Sequence, residues 1–185
     1  DAIRAGSTGV SVPGYTACVL DEDGRELPRG SVGRLAVRGP TGCRYLADPE
    51  RQRAYVSNGW NITGDAYVED ADGYFWYQAR TDDMIISGGY NIAGPEVENV
   101  LLEHVSVREC AVIGVPDDAR GQVVKAVIVL TDGTAADEDT VRALQDFVKA
   151  QIAPYKYPRI IEFADELPRT ETGKLQRYRL REESA

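Results

Sequence analysis

Lys174 stands in the polar stretch TETGK, and a lysine next to a glycine is the pair that phosphate-cradling loops use. The spacing does not complete such a loop. The first glycine of G-x-x-x-x-G-K-[ST] would fall at Pro168, and the residue after Lys174 is Leu175. By spacing alone, Lys174 reads as a solvated loop lysine. Ser87, Gly88 and Gly89 are open to two readings, because adjacent glycines make a tight turn and also let a ligand approach the backbone closely. His104 is the single histidine, so a histidine-dependent triad has one candidate and a multi-histidine metal site has none. It follows an apolar helical pattern and is expected to be solvated near that helix's end. Cys18, Cys43 and Cys110 are odd in number, widely separated and without C-x-x-C spacing, which points to reduced structural thiols and no metal site.

The elements that must position these residues belong to an ordinary globular chain. Its 185 residues allow one domain or two small ones, and 43% hydrophobic with 28% charged residues can build a packed core. A net charge of −9 opposes extensive contact with a phosphate backbone, so nucleic acid is not an expected partner. No apolar run approaches the roughly 18 residues of a membrane helix. The first residues lack a basic then apolar leader, so a cytoplasmic chain is expected.

Residues 15–39 read as two strands, YTACVLD and GRLAVRG, with Asp-Gly and Pro supplying the connection. GWNITGD, AYVED and GYFWYQAR follow as short β segments, and Asp72-Gly73 marks a turn between the last two. The pattern changes near Thr81 to Asp83. DMIISGG reads as a strand, GYN as a turn, and PEVENVLLEH as a helix with Pro95 at its first position. ECAVIGV and KAVIVLT are continuous apolar runs that read as buried strands. In DEDTVRALQDFVKAQIA, Val141, Leu144, Val148 and Ile152 form one helical stripe, which Pro154 ends. RIIEFAD gives a strand, TETGKL a loop, and QRYRLREES a short basic helix. The fold class is therefore α+β: a small all-β, distorted barrel-like segment followed by a compact α+β domain.

The order of these motifs resembles the adenylate-forming superfamily of acyl-CoA synthetases, luciferases and peptide-synthetase adenylation domains. GRLAVRG, WNITGD, QARTDDMIISGGYNIAGPEVE, PYKYP and LPRTETGKLQR each match a family segment, in the family's order and across nearly the whole chain. Arg34 stands where the family usually has glutamate, and Ala79 where it has glycine. The family's upstream phosphate loop and acid pocket have no counterpart here, so the chain resembles the final third of a longer enzyme. GYFWYQARTDDMIISGGYNIAGPEVE with IAPYKYP most resembles the benzoate and 2-aminobenzoate type of CoA ligase. The aromatic run Tyr74 to Tyr77 is more simply core packing on an alternating strand than a mark of an aromatic substrate.

The resemblance implies that residues 1–81 end the large adenylating domain and residues 82–185 form a mobile C-terminal domain. It also implies ATP, Mg2+ and coenzyme A as substrates of the intact enzyme, a small-molecule acid, and the upstream large domain as the partner. Lys174 is then the cation that stabilises charge during adenylation. Asp65 would accept the ribose hydroxyls through charge-assisted bonds, and Arg80 would donate from the other side of the sugar. Without the resemblance, Asp65 reads as a turn aspartate and Arg80 as an exposed strand-end cation. Asp82 maps to the hinge about which the domain rotates. Ser87, Gly88 and Gly89 would line the pantetheine passage, while Tyr155, Lys156 and Arg159 would meet the nucleotide end of coenzyme A. The fragment alone is expected to be inactive. Two rivals stand beside this reading: a noncatalytic interaction or regulatory module, against which Lys174 and Arg80 are both present, and a peptide-synthetase-type adenylation domain, whose carrier segment would follow Ala185.

Overall fold

The structure is a computed structural model, and it describes residues 3–184. The chain divides after Asp82 into two compact units. In the first, β1 (Thr16–Leu20), β2 (Val32–Arg38), a short helix α1 (Pro49–Tyr55), β3 (Val56–Ser57), β4 (Trp60–Glu69) and β5 (Phe75–Arg80) follow one another. All strand pairs are antiparallel. β4 is the organising strand: β2 runs along one edge of it, and β3 and β5 share the other.

Both faces of this sheet carry apolar clusters. Cys18, Leu20, Ala36 and Ile62 pack together on one side, and Val19, Tyr67 and Phe75 on the other. Alternation along β1 sends Cys18 and Val19 to opposite faces, which explains an unbroken buried run from Cys18 to Leu20. Gly33 is required where β2 crosses β1, because a Cβ there would lie 2.5 Å from the Leu20 carbonyl oxygen and 2.6 Å from Leu27 Cδ1. The β4–β5 turn is built on Asp70, whose carboxylate accepts from the Asp72 and Tyr74 backbone N–H groups and the Trp76 indole. The indole bond, foremost, holds the Asp70 carboxyl below its ordinary range.

Arg34 has a structural role in the first unit. Its Nη2 donates to the carbonyls of Asp21 (2.6 Å) and Glu22 (3.0 Å) and so clamps the β1–β2 connection. Its buried Nε finds no partner among the described residues, which offsets part of the gain. Arg34→Ala is expected to destabilise the first unit by about 1 kcal/mol. A lowered thermal midpoint of the chain is the result to look for.

The second unit begins within a 3-10 turn at Thr81–Asp83 and continues as β6 (Met84–Ser87), β7 (Tyr90–Ala93), α2 (Gly94–Leu102), β8 (Val107–Asp117), β9 (Gly121–Leu130), α3 (Glu138–Gln151), β10 (Ile160–Phe163) and α4 (Arg177–Glu182). A single 3-10 turn, Pro154–Lys156, lies between α3 and β10. β9 pairs antiparallel with β8 and, at Ser87↔Gly121, with β6, while β10 joins it in parallel. Ile85, Val97, Leu101, Val112, Ile128, Leu144 and Val148 form the core under α2 and α3. On the opposite face, Ile113, Val123, Val127 and Val129 pack against Leu167 and Leu180 of the terminal segment. β8 and β9 are therefore covered on both faces, which is why their sequences are continuous apolar runs.

Four local readings are corrected. GWNITGD and AYVED form one ten-residue strand, β4, with Gly64 at φ +80° inside it. The turn between β6 and β7 is Gly88-Gly89, both at positive φ as a two-residue hairpin turn demands, so Tyr90 and Asn91 open a strand. The first segment is not wholly β, since α1 interrupts it: Asp48 caps that helix by accepting from the Arg51 N–H at 3.0 Å, and no α1 residue is buried. His104 is half-buried, its ring edge-on to Phe147 at 5.0 Å and its Nδ1 accepting from the Ser106 N–H.

Candidate functional site

Asp65 and Arg80 are cross-strand partners on β4 and β5. Arg80 Nη1 lies 3.5 Å from Asp65 Oδ1, and its Nε lies 3.6 Å from Asp82 Oδ1. Three residues assigned separately are thus joined by one guanidinium. Gly64 suits this place by its φ of +80°, which L side chains rarely adopt, and a Cβ there would also lie 3.3 Å from Arg80 Nη2. Thr63 supports the turn of the strand: its hydroxyl donates to the Leu35 carbonyl and accepts from the Asp65 N–H. Asp65 is part-exposed at 30% of its side chain, so its carboxylate can still accept hydroxyl donors from a ligand.

Lys174 lies in the second unit, exposed at the tip of a closed loop. The Thr170 N–H donates to the Lys174 carbonyl (2.8 Å), the Lys174 N–H donates to the Thr170 hydroxyl (3.0 Å), and the Gly173 N–H donates to the Thr170 carbonyl (2.8 Å). An isolated bridge between Arg169 and Leu175 closes the base. No ion pair among the described residues holds the Lys174 ammonium. It is a positive charge on a stiff loop, open to an anionic ligand.

The residues expected along coenzyme A also gather in the second unit. Ser87 is buried, and Gly88 and Gly89 form the exposed hairpin tip, where the Gly88 N–H donates to the Arg120 carbonyl at 2.9 Å. Tyr90, next in the chain, stacks on Tyr155 with ring centroids 4.4 Å apart and planes 25° from parallel. That contact brings the glycine tip and the Pro154–Lys156 turn to one surface. Lys156 and Arg159 are less available than their motif implies. Lys156 Nζ donates to both oxygens of Glu96 at 2.6 Å, and Arg159 Nη1 donates to the Tyr157 hydroxyl at 3.0 Å. Sequence reasoning missed Tyr90 and Glu96. Only the position of Tyr90 directly after the glycines could have pointed to it.

A second charged group lies behind the Lys174 loop. Glu98 is 8% exposed; its Oε1 accepts from the Val112 N–H at 2.7 Å, and both its oxygens accept from Arg177 at 2.7–3.2 Å. Arg181, one turn further along α4, donates to Asp83 Oδ1 at 2.9 Å. The thiols are unequal. Burial, foremost, pushes Cys18 up to about 11 and Cys110 up to about 12, while Cys43 is exposed. Among the described residues, no three His, Cys, Asp or Glu side chains cluster as metal ligands, and no helix is long and apolar enough to cross a membrane.

Residues 96–174 match the family model of the AMP-binding enzyme C-terminal domain. Over 182 residues the chain is 43% identical to an uncharacterized acyl-CoA ligase, YtcI, of Bacillus subtilis, covering 97% of the chain and 34% of that protein. It is 46% identical over 188 residues to the mitochondrial acyl-coenzyme A synthetase ACSM5 of Homo sapiens, covering 97% of the chain and 32% of the relative. Its fold superposes with a TM-score of 0.81 on the anthranilate CoA ligase AuaEII solved with anthranoyl-AMP, at 42% identity over 98% of this chain and 36% of that one. The chain spans about a third of the length of these relatives. A family model over most of the second unit, and alignment to acyl-CoA ligases along both units, lead to one assignment: the chain carries an AMP-binding enzyme C-terminal domain, and its homologues are acyl-CoA ligases.

Proposed function

We propose that this chain is the C-terminal portion of an AMP-forming acid:CoA ligase that activates an aryl acid and turns its last domain between two half-reactions. A carboxylate is a poor acylating agent because its leaving group would be oxide. Attack of the acid on the α-phosphate of ATP releases pyrophosphate and forms an acyl adenylate; the thiol of coenzyme A then attacks the acyl carbon and expels AMP. Mg2+ would arrive with ATP. The first step gathers negative charge on phosphate and carboxylate oxygens, and Lys174 is the cation proposed to meet it. Asp65 is proposed to accept the ribose hydroxyls, with Arg80 donating beside it. Asp82 is the proposed hinge, and residues 1–81 the proposed end of the large domain.

In the second half-reaction the glycine tip at Gly88-Gly89, with Ser87 beneath it, is proposed to admit pantetheine. The Tyr90–Tyr155 stack offers an aromatic face for the adenine, and Lys156 and Arg159 offer cations for its phosphates once Glu96 and Tyr157 release them. The single observation that carries the reading is the Asp65–Arg80–Asp82 grouping, which puts a hydroxyl acceptor, a donor and the proposed pivot on adjoining residues. The aryl acid is supported by the likeness to the anthranilate CoA ligase. Cytoplasm is the proposed compartment, in keeping with free thiols.

The reading has a direct test. The 185-residue chain by itself is expected to show no acid-dependent exchange of pyrophosphate into ATP, because the proposed phosphate loop and acid pocket lie upstream. Joined to the upstream domain, it is expected to exchange pyrophosphate with benzoate or 2-aminobenzoate and to release AMP and acyl-CoA when coenzyme A is added. Robust exchange by the chain alone would sink the reading of an incomplete unit. Exchange by the joined enzyme with straight-chain acids only would remove the aryl assignment, and transfer to a carrier protein but not to coenzyme A would favour a peptide-synthetase role.

A further inference from the structure

We infer that Glu98, Asp83, Arg177, Arg181 and the Arg169–Glu109 pair are positioning residues for Lys174, pinning both limbs of its loop to the body of the second unit. The inference rests on the proposed role of Lys174 in adenylation. α4 has six residues, lacks a side-chain N-cap and buries only Leu180. A helix so short has no stability of its own in water. What fixes it is tertiary: Arg177 and Arg181 are four residues apart and so share one face, and each donates to a carboxylate on another element.

Glu98 is the centre of this anchor. It is almost fully buried, and its two kinds of donor come from different elements: the Val112 N–H from β8 and the guanidinium of Arg177 from α4. A buried carboxylate so satisfied locks the helix position, because any shift of α4 would leave charge unpaired in the interior. Asp83 completes the anchor from the first turn of the unit, 2.9 Å from Arg181 and 4.0 Å from Arg177. Only Leu175 and Gln176 separate Lys174 from Arg177. The Gln176 N–H is itself bonded to the Pro168 carbonyl at 2.8 Å, so the connection has little slack.

The other limb has its own tether. Arg169 Nη2 donates to Glu109 Oε2 at 2.6 Å, and Arg169 Nη1 donates to the Gly173 carbonyl at 2.9 Å. Glu109 belongs to β8, the strand whose Val112 N–H holds Glu98. Both limbs therefore refer back to one rigid strand. Lysine reaches its target on a long flexible stem, and the protein compensates by making the loop that carries it stiff. Asp83 is also the residue after the proposed pivot, so the anchor of Lys174 includes the first residue of the second unit.

Glu98→Gln in the intact enzyme tests this. Glutamine keeps the volume and an acceptor for the Val112 N–H but loses the charge that holds Arg177. Acid-dependent pyrophosphate exchange should fall about 10- to 100-fold in kcat, the scale of a reacting group misplaced by about 1 Å. KM values for ATP and acid, and thioester formation from supplied acyl adenylate, should stay near wild type. In a Lys174→Ala background the same substitution should cost nothing further, since a residue acting through Lys174 has nothing left to position.

Equal loss in both half-reactions, or a loss that multiplies with that of Lys174→Ala, would overturn the inference. If Glu98→Gln does not fold, Arg169→Gln is the variant to read, because its ion pair is exposed. It should give a severalfold loss confined to adenylation, and no loss there would overturn the inference too. A harmless Lys174→Ala would remove both the functional reading and this one; a harmful Lys174→Ala with a harmless Glu98→Gln would remove this one alone.

Discussion

Lys174→Ala in the intact enzyme is expected to slow acyl-adenylate formation by about 10² to 10³-fold, roughly 3 to 4 kcal/mol, the effect of removing one preorganised donor from a site of developing negative charge. The loop around it is closed by its own backbone bonds and tied to β8, so removing the ammonium should leave the fold intact. The side chain is exposed, which leaves little packing to lose. The signature is selectivity. Pyrophosphate exchange should collapse while thioester formation from supplied acyl adenylate largely survives, because the second half-reaction is proposed to proceed with Lys174 withdrawn. Equal loss of both would assign Lys174 a general binding role instead.

The second large effect is expected from Asp82→Pro. Asp82 is the middle residue of the 3-10 turn and the last residue of the first unit. Proline holds φ near −65° and removes one backbone donor without touching either substrate. That φ lies within the 3-10 range, but proline also drives Thr81 before it toward extended backbone, so the substitution should bias the chain to one orientation and block the other. If the favoured state is the adenylating one, pyrophosphate exchange persists and thioester production falls on the order of 10²-fold, the cost of a catalytic group that cannot reach its geometry. Asp82→Ala is the control: it removes the exposed pairing with Arg80, worth about 0–1 kcal/mol, and leaves φ free. A folded proline variant that runs both half-reactions at wild-type rates would exclude Asp82 as the pivot.

What the sequence made legible follows from what each element depends on. α3 was readable because Leu144 and Val148, the two residues it buries completely, sit on a regular stripe. β8 and β9 were readable because burial on both faces writes the whole strand in apolar residues. α1 was not, since it has no buried face and rests on the Asp48 cap alone. β7 was misread because Gly88, Gly89 and Asn91 all signal a turn, and only the pairing of Ser87 with Tyr90 decides which of them make it. At the site, the positions of Asp65, Arg80 and Lys174 came from motif order, whereas their neighbours could not. A glutamate among apolar residues, as at Glu98, looks like a solvated helix charge until the Val112 N–H and Arg177 are seen to meet it. Lys156 likewise looks available until Glu96 is found against it.

The unequal burial of the three thiols has a practical consequence for testing the proposed rotation. At neutral pH the thiols of Cys18 and Cys110 are buried and almost wholly protonated, whereas Cys43 stands exposed. A maleimide dye reacts with accessible thiolate, so it would settle on Cys43 without any native cysteine of this chain being removed. Cys43 belongs to the first unit, and Ala150→Cys would add a second attachment point on the exposed side of α3 in the other. The chain thus comes with half of a fluorescence ruler already installed, and successive addition of ATP with acid and then coenzyme A would read a change of orientation as a change of distance.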